Sequence, residues 1–188
     1  MNRLENWFCA TGFWRRATRQ RLLPRMLEGA GDLGTRVLEV GAGAGAATAE
    51  LSRRFPSVTS LEYGAAFAAN ISRTGCAAQV VQGDAAQLPF ADRSFTCVIA
   101  ILTLHHLRSQ ELQDRAFGEI CRVLQPGGTF LAFEIHDGWV QRLIHTSSTF
   151  VAVNASAAHA RLKAVGFRRV SVDLWRGGFL LRARRATD

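Results

Sequence analysis

The sequence predicts a doubly wound α/β domain whose mostly parallel, seven-stranded sheet ends in an antiparallel hairpin. Three observations predict this class. Apolar segments of strand length alternate with helical segments, a glycine-rich loop joins the first strand to the next helix, and Arg176-Gly177-Gly178 separates the last two strands. Alternating strands and helices form right-handed crossovers, which make successive strands parallel and cover both faces of the sheet. In such sheets, ligands bind at the carboxyl ends of the strands.

The first half of the chain carries three strands that each end in glycine or an acid. A helical arm over 1–30 precedes them, and Pro24 is expected to kink or restart its helix. The segment 46–54 is rich in good helix formers. The predicted strands are 36–40, 58–61 and 79–82, and the predicted helices are 46–54 and 64–72.

The second half supplies the central strand and the closing hairpin. The segment 95–104 is apolar throughout, as expected for a strand covered on both faces. Ser109 can cap a helix with an apolar stripe, which Pro126-Gly127-Gly128 stops. Gly166 closes a last helix. The remaining predicted strands are 129–135, 167–174 and 179–184.

The composition is that of a folded domain. Of the 188 residues, 48% are hydrophobic and 20% are charged, which excludes general disorder. The longest apolar run is about half the length of a membrane-spanning helix. The N-terminus shows no secretory signal pattern. The four cysteines are scattered without a CxxC pair, which predicts no zinc site and no disulfide framework and favours the cytoplasm.

A glycine-rich loop follows the first strand. Glu39-Val40-Gly41-Ala42-Gly43-Ala44-Gly45 leads directly into a predicted helix. Glycine permits a tight turn and a close approach of ligand to backbone, and the first N–H groups of the helix face that ligand. Because Gly41, Gly43 and Ala46 also satisfy the dinucleotide pattern GxGxxA, the loop fits a methionine-type and a nicotinamide cofactor equally.

Acids end the second and third strands. Glu62 can accept both hydroxyls of a ribose, and the ring of Tyr63 can cover an adenine. Asp84 can accept the adenine amino group, with the N–H of Ala85 facing a ring nitrogen. An exposed acid and a partly buried tyrosine are the alternative interpretations of Glu62 and Tyr63. Three such strand ends in succession predict an adenosine site.

Five motifs occur in order: VLEVGAGAG, LEY, GDA followed by LPF, LHHL and RVLQPGG, together covering about residues 35–136. They resemble the motifs of class I S-adenosylmethionine-dependent methyltransferases, and most closely the methyltransferase type 11 branch that includes the quinone-biosynthesis C-methyltransferases. The resemblance implies a Rossmann-like fold, a methyltransferase activity and S-adenosyl-L-methionine as cofactor. It implies one domain over 1–188, divided into an arm or lid (1–30), a cofactor-binding core (31–136) and a last helix with edge strands (137–188).

The resemblance also implies roles for individual residues. Glu62 would contact the ribose, and Asp84 with Ala85 the adenine. Ile101 would lie near the sulfonium, and Glu39 behind the loop. The methionine part would be bordered by Gly41, Gly43 and Gly45.

The sequence defines the methyl acceptor and a catalytic base less closely than it defines the cofactor site. No Asn-Pro-Pro-Tyr follows strand four, which argues against an amino group of adenine or glutamine as acceptor. Because a sulfonium methyl group is already activated, the protein must mainly position the reactants and exclude water. A base is needed where the acceptor loses a proton. His105, His106 and His136 are candidates, although LHHL is equally a structural element.

Basic residues concentrate near both ends of a chain with a net charge of +8. Trp7, Phe8, Phe13 and Trp14 interleave with arginines, which predicts an acceptor lid or a segment touching lipid, with ordinary packing as the alternative. No RNA-binding signature accompanies the charge. We expect a small or lipid-like acceptor rather than nucleic acid, and peripheral membrane contact through the arm.

Three functions compete. The first is a methyltransferase acting on a small or lipophilic molecule, the second a nicotinamide-dependent oxidoreductase, and the third a cofactor-binding module without catalysis. The oxidoreductase is disfavoured because no Tyr-x-x-x-Lys follows strand five. The enzyme and the inactive module differ in turnover alone.

Overall fold

The computed structural model describes residues 11–144 and 149–187 and has the predicted α/β class, with a seven-stranded sheet between helices. In space the strands follow the order β3-β2-β1-β4-β5-β7-β6. The first five strands are parallel, and β7 is antiparallel to both its neighbours, which confirms the C-terminal hairpin. The strands are β1 (Arg36–Val40), β2 (Ser57–Glu62), β3 (Gln79–Gln82), β4 (Phe95–Ile101), β5 (Leu124–Ile135), β6 (Phe167–Trp175) and β7 (Gly178–Arg185).

Helices follow the strands and cover both faces of the sheet. The arm consists of α1 (Gly12–Ala17), a π-helical turn (Thr18–Leu22) and α2 (Leu23–Leu27), whose backbone stays helical at each junction. Trp7 and Phe8 lie outside the described residues. Pro24 lacks an N–H and lies in the first turn of α2, directly after the π-helical turn, which matches the predicted restart of the helix. The other helices are α3 (Thr48–Arg54), α4 (Ala65–Arg73), a 3-10 turn (Leu104–His106), α5 (Gln110–Val123), α6 (Trp139–Ile144) and α7 (Ala155–Ala164).

Two apolar clusters lie on opposite faces of the sheet. Val98 and Phe130 belong to one cluster, while their neighbours Ile99 and Leu131 belong to the other. Alternate side chains of a strand point to opposite faces, so the central strands are covered on both sides, as their continuous apolar sequences predict. None of the helices within the described ranges is both long and apolar enough to cross a membrane.

Three predicted boundaries were wrong. β4 ends at Ile101 instead of residue 104, because Leu102 has a φ of 52° and turns the chain out of the extended conformation. α3 begins at Thr48, after the turn that contains the glycines. Pro126-Gly127-Gly128 lies inside β5, which begins at Leu124 and bulges before its regular pairing with β4 resumes at Thr129.

Candidate functional site

A cavity of about 490 Å³ opens at the carboxyl edge of the sheet. Four strand ends line it, through Gly41 after β1, Glu62 of β2, Gly83 after β3 and Leu102 after β4. Small-molecule sites in proteins commonly enclose about 300–1,000 Å³, so this cavity has the size of a cofactor site. It lies where ligands bind in open α/β sheets.

The glycine loop passes directly beneath the turn that follows β4. Gly41 has a φ of 75°, and a Cβ atom there would collide with the side chain of Thr103, whose hydroxyl donates to the carbonyl oxygen of Val40 at 3.1 Å. Gly43 has a φ of 54°, and a Cβ atom there would meet nothing within 4 Å. The first glycine is therefore required by packing, and the second leaves open space beside the cavity.

We expect Gly41→Ala to lower the free energy of unfolding by about 1–3 kcal/mol, because the new methyl group meets Thr103 and the positive φ is strained. Urea unfolding measures the change. Gly75→Ala is the matched control, since Gly75 has a φ of 70° and open space around it. Equal losses at the two positions would show that the contact with Thr103 contributes nothing.

Glu62 ties the loops after β1 and β2 together. Its carboxylate accepts the backbone N–H of Gly43 at 2.7 Å and that of Gly64 at 2.8 Å. A carboxylate has about four acceptor sites, and these two bonds occupy half of them. Because Glu62 lines the cavity, its remaining lone pairs can accept ligand hydroxyls.

Tyr63, Asp84 and Ala85 line the same cavity. The Tyr63 ring is 72% exposed beside Glu62. Asp84 accepts the backbone N–H of Ala86 at 2.8 Å, which fixes its carboxylate at the start of the turn after β3. The structure thus brings together the residues that were predicted for the adenosine part of a ligand.

Three of the residues predicted to bind the cofactor do not line the cavity. Glu39 is buried behind the loop, where one carboxylate oxygen accepts the hydroxyls of Thr48 at 2.6 Å and Ser60 at 2.7 Å. Gly45 lines a separate groove beside the arm. Ile101 packs against the apolar cluster on the arm's face of the sheet. These residues support the cavity wall from behind.

Burial raises the pKa of Glu39 above its ordinary value of 4.5, and the charge of Glu62 acts in the same direction. Hydrogen bonds from Thr48 and Ser60 oppose the shift. The folded protein therefore holds this proton more tightly than the unfolded chain. The stabilisation that protonated Glu39 contributes is complete below pH 4.5, and it is lost as the pH rises through the folded-state pKa of Glu39.

We expect the free energy of unfolding of Glu39→Gln to fall less than that of the wild type between pH 4.5 and neutrality, because glutamine does not ionise. Urea titrations at a series of pH values measure this difference. Glu119→Gln should change the profile below pH 4.5 instead, because hydrogen bonds from Arg122 lower the pKa of Glu119 and the wild type loses that stabilisation as pH falls through the folded-state pKa. Parallel profiles for Glu39→Gln and wild type would contradict the assignment.

Glu134, near the end of β5, fixes the turn after β4. Its buried carboxylate accepts the backbone N–H groups of Thr103 at 3.0 Å and Leu104 at 2.8 Å, and contacts Nδ1 of His105 at 2.6 Å. Leu102, with its positive φ, begins this turn and lines the cavity. One carboxylate therefore sets the shape of one cavity wall.

Sequence reasoning missed Glu134 and part of the cavity lining. An acid within the apolar strand at 129–135 was the available signal. Other lining residues follow β4, belong to α5 or precede α7, and the fold alone brings them together. They are Leu107, Arg108, Leu112 and Thr149.

Of the three candidate histidines, His106 lines the cavity. Its Nδ1 lies 3.3 Å from the carbonyl oxygen of Thr149, and its ring centre lies 4.2 Å from that of His105. His105 is buried against Glu134. The ring of His136 packs against Phe179 at 5.5 Å, outside the cavity lining. The cavity geometry therefore leaves His106 as the histidine that can face a ligand.

Comparisons with known proteins agree with this geometry. The sequence model of a family described as "Methyltransferase domain" matches residues 38–132, half of the chain. A demethylmenaquinone methyltransferase from Corynebacterium kroppenstedtii is 35% identical over 125 residues, which are 64% of this chain and 48% of that enzyme. An uncharacterized methyltransferase from Synechocystis sp. is 29% identical over 157 residues, 78% of this chain and 73% of that protein. The chain thus spans about half the length of the first of these relatives.

Solved structures show the same fold. An S-adenosylmethionine-dependent methyltransferase from Mesorhizobium loti superposes with a TM-score of 0.74 at 16% identity, covering 86% of this chain and 96% of that one. At this identity the likeness concerns the fold alone.

Proposed function

This chain belongs to the methyltransferase domain family, and on this basis we propose that it transfers a methyl group to a small, lipophilic acceptor. Its cofactor is S-adenosyl-L-methionine, as the family and the fold indicate. One observation carries the proposal: the glycine loop, Glu62 and Asp84 meet in one cavity of about 490 Å³. The proposed reaction is the one that the motif resemblance predicts.

The cavity residues fit the adenosine part of the cofactor. Glu62 keeps the N–H groups of Gly43 and Gly64 while its remaining lone pairs accept the ribose hydroxyls. The exposed ring of Tyr63 covers one face of the adenine, and Asp84 with Ala85 recognises its edge. These roles use side chains that already line the cavity.

The loop and the turn after β4 hold the methionine part. Gly41 and Gly43 admit it next to the backbone, with the open space at Gly43 on the cavity side. Glu39 and Gly45 stabilise the loop from behind, and Ile101 supports Leu102.

When bound, the cofactor supplies a methyl group that is already electrophilic. The chain's task is to orient the acceptor and exclude water, for which the apolar side chains of Leu102, Leu107 and Leu112 are suited. His106 is the proposed base where the acceptor loses a proton. The carbonyl of Thr149 can only accept, so Nδ1 of His106 is the donor in their 3.3 Å contact.

A lipophilic acceptor is supported by these leucines and by the relative named demethylmenaquinone methyltransferase. An acceptor of this kind partitions into membranes, and the basic arm is the proposed site of peripheral membrane contact. A cytoplasmic location remains a prediction from the scattered cysteines. His105 and His136 are not assigned a catalytic role.

The test is to incubate the chain with S-adenosylmethionine labelled in its methyl group and a total lipid extract. The proposal predicts label in a product that extracts into organic solvent. Label confined to water-soluble metabolites would contradict the lipophilic acceptor. Binding of S-adenosylhomocysteine without transfer to any extract would favour the inactive module.

A further inference from the structure

Large apolar side chains are exposed at the same edge of the sheet as the cavity. Trp139 is 78% exposed at the start of α6, shortly after β5 ends. Leu174 is 74% exposed near the end of β6. Both β5 and β6 are antiparallel to β7, so they run in the same direction. Leu174 pairs with Phe179, which pairs with Glu134, and this places Leu174 level with the turn beside the cavity.

The N-terminal end of the arm reaches this edge as well. The other end of the arm is held near the amino edge, because the guanidinium groups of Arg182 and Arg184 donate to the carbonyl oxygens of Arg25 and Ala30, each at 3.0 Å. The continuous helical segment 12–27 is about 24 Å long at 1.5 Å per residue.

At its beginning, the arm shares a groove with the glycine loop. Gly12 and Arg16 line this groove together with Ala44 and Gly45, which follow β1. Phe13 lies in this part of the arm and is 74% exposed. Three exposed apolar side chains from three separate segments therefore project at the edge that carries the cavity.

Arginines accompany these apolar side chains. The arm contains no acid between residues 11 and 27 and exposes four arginines, namely Arg15, Arg16, Arg19 and Arg21. Arg176 is exposed at the hairpin tip, next to Leu174 and Trp175. Arg108 is exposed and lines the cavity. Beside Trp139, Arg142 is paired with Asp137, so the excess of positive charge comes from the arm and the hairpin tip. Exposed apolar side chains together with an excess of cations are typical of surfaces that bind anionic membranes.

These features favour a lipid surface over nucleic acid or a protein. Nucleic acid binding combines cations with aromatic rings that stack on bases, and Leu174 cannot stack. Protein interfaces generally bury a contiguous, closely packed patch, whereas these apolar side chains project singly from separate segments. Single apolar side chains can insert among lipid headgroups while the arginines contact phosphates.

We propose that the carboxyl edge of the sheet docks on an anionic lipid bilayer, with Phe13, Trp139 and Leu174 among the headgroups and the arm's arginines on lipid phosphates. The cavity opens at this same edge, so a lipophilic acceptor enters it from the bilayer. The entry of the acceptor rests on the proposed function. Docking itself rests on the surface alone.

The test measures binding of the full chain to phosphatidylcholine vesicles with and without phosphatidylglycerol, by flotation. We expect binding that requires the anionic lipid and weakens as salt rises. Arg16→Glu with Arg19→Glu should weaken it at least about tenfold, because each cation near an anionic surface contributes about 1 kcal/mol. Phe13→Ser with Trp139→Ser should also weaken it at constant charge.

The matched control is Lys163→Glu with Arg168→Glu, which makes the same charge change at exposed positions by the opposite edge of the sheet. The protein with these two substitutions should bind vesicles at least about tenfold more tightly than the protein with Arg16→Glu and Arg19→Glu. Equal loss in the two pairs, or binding to neutral vesicles alone, would overturn the docking surface. So would capture of RNA through the same arginines without vesicle binding. Calorimetry with S-adenosylhomocysteine on each protein tests the cofactor site separately, so failure of one proposal is distinguishable from failure of the other.

Discussion

Replacing Glu62 with alanine is expected to weaken binding of S-adenosylhomocysteine by about 1–3 kcal/mol, the range for loss of a charged hydrogen-bond partner. The carboxylate provides the proposed ribose contact, and it also orders the glycine loop through the N–H of Gly43. Loss of the ribose contact and loss of order in the glycine loop both weaken binding of S-adenosylhomocysteine. Isothermal titration calorimetry measures the loss, and circular dichroism confirms that the variant is folded.

Two further variants serve as a conservative substitution and as a control. Glu62→Gln keeps one acceptor oxygen, so we expect a smaller loss than for Glu62→Ala. Glu28→Ala removes an exposed acid of the arm that is paired with Arg25, and should leave the affinity unchanged. If a folded Glu62→Ala protein binds with wild-type affinity, Glu62 has no place in the cofactor site.

Glu134→Ala is expected to lower the free energy of unfolding by about 3–5 kcal/mol, because each buried polar group left without its hydrogen-bond partner costs about 1–3 kcal/mol. The substitution leaves the N–H groups of Thr103 and Leu104 and the ring of His105 without their common acceptor. Urea unfolding measures this loss. Because the same turn lines the cavity, we also expect slower methyl transfer from the remaining folded protein.

Glu134→Gln serves as the conservative variant. It retains an oxygen for the two backbone N–H groups and loses only the carboxylate oxygen that contacts Nδ1 of His105, so most of the stability should return. A double substitution of Glu134 and His105 by leucine should cost less than the sum of the single leucine changes, because the two groups interact directly. A decrease in the free energy of unfolding below about 1 kcal/mol for Glu134→Ala would show that Glu134 does not fix the turn after β4.

The fold was predictable where the signals are local. The strands at 36–40 and 79–82 match the structure residue for residue, because short β-forming segments end at glycine. Ser109 caps α5 through the N–H of Leu112, as predicted. The predicted end of β4 at residue 104 was too late, because Leu104 is fully buried but belongs to the 3-10 turn that follows the strand. Burial alone cannot distinguish a strand from a turn.

The candidate site was predictable only in part, for those residues that local sequence signals mark. The glycine loop, Glu62 and Asp84 sit at strand ends, and parallel strands bring their carboxyl ends to one edge. The role of Glu134 depends on the pairing of β5 with β4, which no local pattern contains. His105 and His106 are adjacent in sequence, yet one is buried against Glu134 and the other lines the cavity.

Side-by-side thermal unfolding of the wild-type protein with S-adenosylhomocysteine and with NAD tests the central claim most directly. A ligand that binds only the folded state stabilises it by RT ln(1 + [L]/Kd) and so raises the Tm. The account predicts a higher Tm with S-adenosylhomocysteine and no change with NAD. Stabilisation by NAD alone would contradict it.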